Sequence, residues 1–159
     1  MMLNKPNPFL FTVFLILIYG CGFKFVDKSK LINFKIDTIV TSGEKRLNYK
    51  IKNKVLLSSN DQSNRRIQID LKSERKKSVK EKNIRNEITK YEVMVVTKII
   101  VTEINNLEKK EFSISKFGDY VVADQYSKTL NNERKLLDIL TNKISEAIIE
   151  KLTQNLNDL

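Results

Sequence analysis

The chain has 159 residues, 29 of them Lys or Arg and 19 Asp or Glu, for a formal net charge of +10. Histidine and tryptophan are absent and cysteine occurs once, which excludes imidazole and paired-thiolate metal sites, His-dependent triads and histidine acid–base chemistry. The length suits one ordinary domain. The positive charge is mostly lysine in a chain also rich in Asn and Ile, a compositional bias more than a nucleic-acid footprint.

The first element is an export signal. Lys5 and the amino terminus precede an apolar run from Phe9 to Ile18, about half the length a membrane-spanning helix needs and the length of a cleavable h-region. Gly20 then stands before Cys21, and the arrangement resembles a bacterial lipobox. On that resemblance residues 1–20 are a lipoprotein signal peptide, Cys21 is lipidated and becomes the mature first residue, and residues 21–31 are a tether. An unpaired cysteine in an exported protein is an oxidation liability, and a thioether removes it. Several acyl chains hold a protein where one holds only marginally. Gly22, where an aspartate favours inner-membrane retention, implies the periplasmic side of the outer membrane.

Residues 32–159 form the folded domain. Ile32, Phe34, Ile36, Thr38 and Val40 alternate with Asn33, Lys35, Asp37 and Ile39 in a period-2 pattern that reads as a strand, and Ser42-Gly43 ends it. Leu47, Ile51 and Val55 recur every fourth position and predict an amphipathic helix over 44–57. Ile67, Ile69 and Leu71 alternate as a second strand. From Ser73 to Asn86 charge replaces alternation, which predicts a basic connection. A third strand, 87–104, is apolar on both faces and is therefore expected at the sheet's centre, covered at least partly on both sides. Asn105-Asn106 turns the chain into a fourth strand around Phe112 and Ile114, hairpin-paired with the third. Leu130, Leu137, Leu140, Ile144, Ile148, Leu152 and Leu156 then keep helical spacing, with Glu133, Lys135, Asp138, Lys143, Glu146 and Glu150 on a solvated far face. Residues 120–128 fit a helical turn or an irregular lead-in. The order β-α-β-β-β-α gives an α+β domain, a four-stranded sheet packed by two helices.

Segment 72–85 holds seven basic and two acidic residues. Lys and Arg make charge-assisted hydrogen bonds to phosphate, Arg bidentately, so this segment is either a ligand contact or a solvated connection. No Asp/Glu cluster has hydrolase or metal spacing, so neither an enzyme nor a cofactor is expected.

The chain resembles the LptE family of lipopolysaccharide-assembly lipoproteins. The resemblance rests on Cys21-Gly22-Phe23, on the strand 36–40 with Ser42-Gly43 and the helix 47–57, on Ile84-Arg85-Asn86 followed by Tyr91-Glu92-Val93-Met94-Val95, and on a terminal helix beginning near Asn131-Asn132-Glu133. It implies a non-catalytic protein that plugs and helps assemble the LptD β-barrel and binds lipopolysaccharide. A plug is needed because a wide barrel is otherwise a water-filled hole. The lipopolysaccharide-binding residues would be Arg75, Lys76, Lys77, Lys80, Lys82, Arg85 and Lys128, with Arg85 and Lys128 matching basic positions of the family. Membrane attachment is through the N-terminal lipid, and nucleic acid is not a partner. Two rivals stay open: another envelope-assembly or secretion lipoprotein without a glycolipid ligand, and a tethered module drawn to anionic lipid or polyanion by charge alone.

Overall fold

The computed structural model describes residues 33–157, with side chains to 154. The signal, Cys21, the tether and Ile32 lie outside the described residues. The elements run β1 (Lys35–Gly43), α1 (Lys45–Leu56), β2 (Arg66–Lys82), β3 (Ile88–Glu103), β4 (Lys109–Val121) and α2 (Tyr126–Asn157). The sheet order is β1-β2-β3-β4. β1 pairs parallel with β2 across the α1 crossover, and the other two pairings are antiparallel. The α+β class and the element order agree with the sequence patterns, and β3 is indeed flanked on both sides.

Residues directly paired across neighbouring strands share one face. The row Leu71–Ile99–Phe112 and the row Ser73–Thr97–Ile114 show the register. That face is covered by the helices. Leu47, Ile51 and Val55 of α1 and Leu140, Ile144, Ile148 and Leu152 of α2 are buried against Ile67, Ile69, Leu71, Val93, Val95 and Ile99. Two hydroxyls in the middle of this core, Ser73 and Thr97, satisfy one another at 3.0 Å. On α2, Thr141 and Ser145 donate back to the carbonyls of Leu137 and Thr141, so their burial costs no unpaired donor.

Three expectations are corrected. In β1, the register slips between Ile36 and Thr38. This bulge at Asp37 makes Ile36 and Ile39 both face inward, and it leaves Val40 50% exposed, where strict alternation puts Val40 inside. Second, no described element covers the face of β3 that carries Met94, Val96 and Ile100. Those side chains are half-buried among their neighbours within the sheet.

The third correction is the largest. The basic segment 73–86 is not a connection: β2 runs unbroken through Lys82 and pairs with β3 to Ile88. At 17 residues it is about 55 Å long. Strand alternation persists beneath the charge. Ser73, Arg75, Lys77 and Val79 occupy the helix-side face, while Lys76, Ser78 and Lys80 point the other way. Lysine and arginine stems cover apolar surface while their heads reach polar partners, so a strand can look like a loop when its inward positions are cationic. Only residues 83–87 turn. Asn83 Oδ1 accepts from the amides of Arg85 (2.9 Å) and Glu87 (3.0 Å), an Asx-type turn, and Asn86 takes φ +64°, which asparagine tolerates well.

Candidate functional site

The distal half of the β2–β3 hairpin, the end of β4 and the start of α2 meet at one end of the sheet. Val122 donates to the carbonyl of Thr89 at 2.9 Å and so carries the chain from β4 alongside the hairpin. There α2 begins with Thr129 clasping Ala123 through its hydroxyl. The basic residues singled out from the sequence divide here into two groups.

Arg75 and Lys77 are engaged. Arg75 donates to Glu133 Oε1 at 3.0 Å and also lies 3.4 Å from a Glu44 carboxylate oxygen. Lys77 donates to Glu133 Oε2 at 3.1 Å, with its ammonium 4.2 Å from the centre of the Tyr91 ring and 5.2 Å from that of Tyr120. The Tyr120 hydroxyl donates to the same carboxylate at 2.9 Å, and the two tyrosine rings stand 5.7 Å apart across the strand pair. Glu133 is therefore not on the wet face of the terminal helix. Its side chain is 14% exposed and closes a network joining β2, β3, β4 and α2.

The electrostatics of that network follow from its geometry. Burial pushes the Glu133 carboxyl up, but the Tyr120 and Lys77 hydrogen bonds and the charges of Lys77 and Arg75 outweigh it and hold the carboxyl below its usual range. Burial likewise pulls the Lys77 ammonium down, and its bonds to Tyr120 and Glu133 more than restore it. The Tyr120 phenol is raised, first by burial. The result is a pinned carboxylate, and no proton is poised near neutral pH.

The remaining candidates face solvent. Lys80 reaches Asp119 across the open face at 2.8 Å, and Lys82 donates to Asn86 Oδ1 at 2.9 Å. Lys76, on the open face opposite Met94, and the side chains of Arg85 in the turn and Lys128 in the first turn of α2 make no hydrogen bond or ion pair among the described residues. All three are exposed. Beside Arg85, Ile84 projects fully into solvent at the hairpin tip. Lys80, Lys82, Arg85 and Lys128 thus share one end of the molecule, while Lys76 lies further along β2. Such a surface can attract anions, and an apolar tip residue beside cations suits an amphiphile better than a small ion. Among the described residues no group of three His, Cys, Asp or Glu side chains converges to hold a metal.

Sequence reasoning missed the partners of these charges. Glu133 was placed by helical spacing alone, whereas its role depends on β2 and β4 arriving from 56 and 13 residues away. Arg65 and Glu103, joined by a two-pronged pair at 2.7 and 3.0 Å, likewise close the opposite end of the β2–β3 hairpin.

No protein-family model matches this chain, and no curated protein matches it. Solved structures do. A candidate lipoprotein from Caulobacter crescentus CB15 matches with TM-score 0.56 and 16% identity, over 82% of this chain and 95% of that one. An uncharacterized lipoprotein B from Nitrosomonas europaea matches with TM-score 0.52 and 12% identity, over 86% and 93%. The rare lipoprotein B of Shewanella oneidensis reaches TM-score 0.49 at 16% identity, over 77% and 95%. At these identities the first two establish a shared fold.

Proposed function

We propose that this chain is an outer-membrane lipoprotein of LptE type, anchored on the periplasmic side through Cys21, that plugs and helps assemble a large LptD-type β-barrel and binds lipopolysaccharide during its delivery. One conjunction carries the reading. A lipobox-like Ile18-Tyr19-Gly20-Cys21 precedes a β-α-β-β-β-α domain whose fold is shared with proteins described as bacterial lipoproteins. A domain with this much charge on its surface can hydrogen-bond a polar barrel lumen. Exposed Lys82 and Arg85, in the hairpin with Ile84, and Lys128 in the first turn of α2 supply cations and an apolar tip for a phosphorylated amphiphile.

The engagement of Arg75 and Lys77 with Glu133 refines the ligand set: those two cations already have a carboxylate, so ligand phosphate would meet Lys76, Lys82, Arg85 and Lys128 first. The test is affinity purification of a tagged full-length chain from outer membranes. Co-purification of a large β-barrel, lost in Cys21→Ala along with metabolic fatty-acid labelling, supports the proposal. Recovery of a labelled protein with no barrel leaves only an envelope lipoprotein of another kind, and labelling that persists in Cys21→Ala refutes the anchor.

A further inference from the structure

A second basic feature lies on the helix side of the sheet, away from the hairpin tip. The N-terminal end of α1, the middle of α2 and β2 enclose a groove of about 140 Å³, lined by Glu44, Arg46, Lys50, Arg75, Arg134 and Asp138. Its floor includes Leu47 and Leu137, both buried. A cavity of about 150 Å³ accommodates benzene, so a phosphate group fits.

The charges in this groove do not cancel. Lys50 bonds to Asp138, and Arg75 is shared between Glu44 and Glu133. Arg46 and Arg134 come from different helices, are exposed, and make no hydrogen bond or ion pair among the described residues. Two guanidiniums on one small groove repel each other, and their field is strengthened by the apolar floor beneath. A single dianionic group relieves that repulsion. Each guanidinium presents a planar fork that matches two oxygens of a phosphate, and a phosphate monoester carries close to two negative charges at neutral pH.

We propose that this groove binds a phosphate monoester group, gripped between Arg46 and Arg134, while Arg75, which lines the same groove, stays with its carboxylates. The site is separate from the hairpin cations and does not depend on the barrel-plug reading.

The test uses the full chain in non-ionic detergent, observing arginine side-chain N–H resonances at constant ionic strength. Inorganic phosphate should shift the Arg46 and Arg134 signals saturably, while chloride should not. The Arg46→Gln/Arg134→Gln variant should weaken phosphate binding by about tenfold or more. Lys109→Gln/Lys135→Gln, which removes the same charge elsewhere, should leave it unchanged. Phosphatidylcholine vesicles doped with phosphatidic acid separate the sources. Retention on them that needs Arg46 and Arg134 assigns a lipid-borne phosphate, and response to inorganic phosphate without vesicle retention assigns a soluble one. Signals that do not saturate, or equal weakening in both variants, overturn the proposal, since either describes diffuse attraction.

Discussion

Glu133 shows how one side chain acquires a role from its surroundings. Two cations and a phenol converge on it, and its carboxyl is held below the usual range even though burial opposes this. Because the folded value lies below the unfolded one, the stabilisation is present above about pH 4.5 and is lost as pH falls through the folded value. Glu133→Gln should therefore cost about 1–2 kcal/mol at pH 7, discounted because Arg75 and Lys77 are about a third exposed. Parallel denaturant titrations should show the gap from the parent narrowing below about pH 4; a gap independent of pH would mean that the charge is not what matters. Gly43 is the other decisive residue. Its φ is +87°, and a Cβ there would lie 2.3 Å from the Ser73 carbonyl oxygen, a backbone atom that cannot swing away. Gly43→Ala should destabilise the fold by about 2 kcal/mol or more, read as a lowered denaturation midpoint. Gly118→Ala should be milder, since the atom it would meet is the tip of Leu136.

At the scale of elements, the β2–β3 hairpin is the unusual one. β1 pairs with β2 only as far as Ser73, so β2 has neighbours on both sides in its first half and only β3 in its second. Native-state hydrogen exchange should register that change directly. Amides within 67–73 should be protected almost without exception, whereas in 74–80 protection should alternate, every second N–H facing the open edge. Uniformly fast exchange from Glu74 onward would restore the loop expected from the charge pattern. The lysines along this edge also discourage pairing with another copy's strand. α2, about 48 Å long, spans both halves and reaches the hairpin through Glu133 and α1 through Asp138 and Glu146.

For the molecule as a whole, the division of the basic residues into engaged and exposed groups makes a joint prediction. If the proposed function holds, neutralising Lys76, Lys82, Arg85 and Lys128 should weaken lipopolysaccharide binding and leave the thermal midpoint nearly unchanged. Neutralising Arg75 and Lys77 should lower the midpoint by several degrees, because it strands a largely buried carboxylate. Unchanged binding in the first variant would remove these four from the ligand surface. Retained barrel co-purification in both folded variants would place barrel contacts elsewhere on the chain.

Periodicity alone was enough for the element order, the central place of β3, the buried stripe Leu47–Ile51–Val55 and most of α2, because a 2- or 3.6-residue repeat reports which side of a segment meets the core. The lipobox-like run and the absence of histidine are also properties of the linear chain. Three things needed the folded molecule: the bulge at Asp37, the extension of β2 through its cationic stretch, and the pairing of Arg75 and Lys77 with Glu133. Each depends on what lies opposite in space, a backbone partner or a carboxylate from a distant segment. No local window of sequence carries that information.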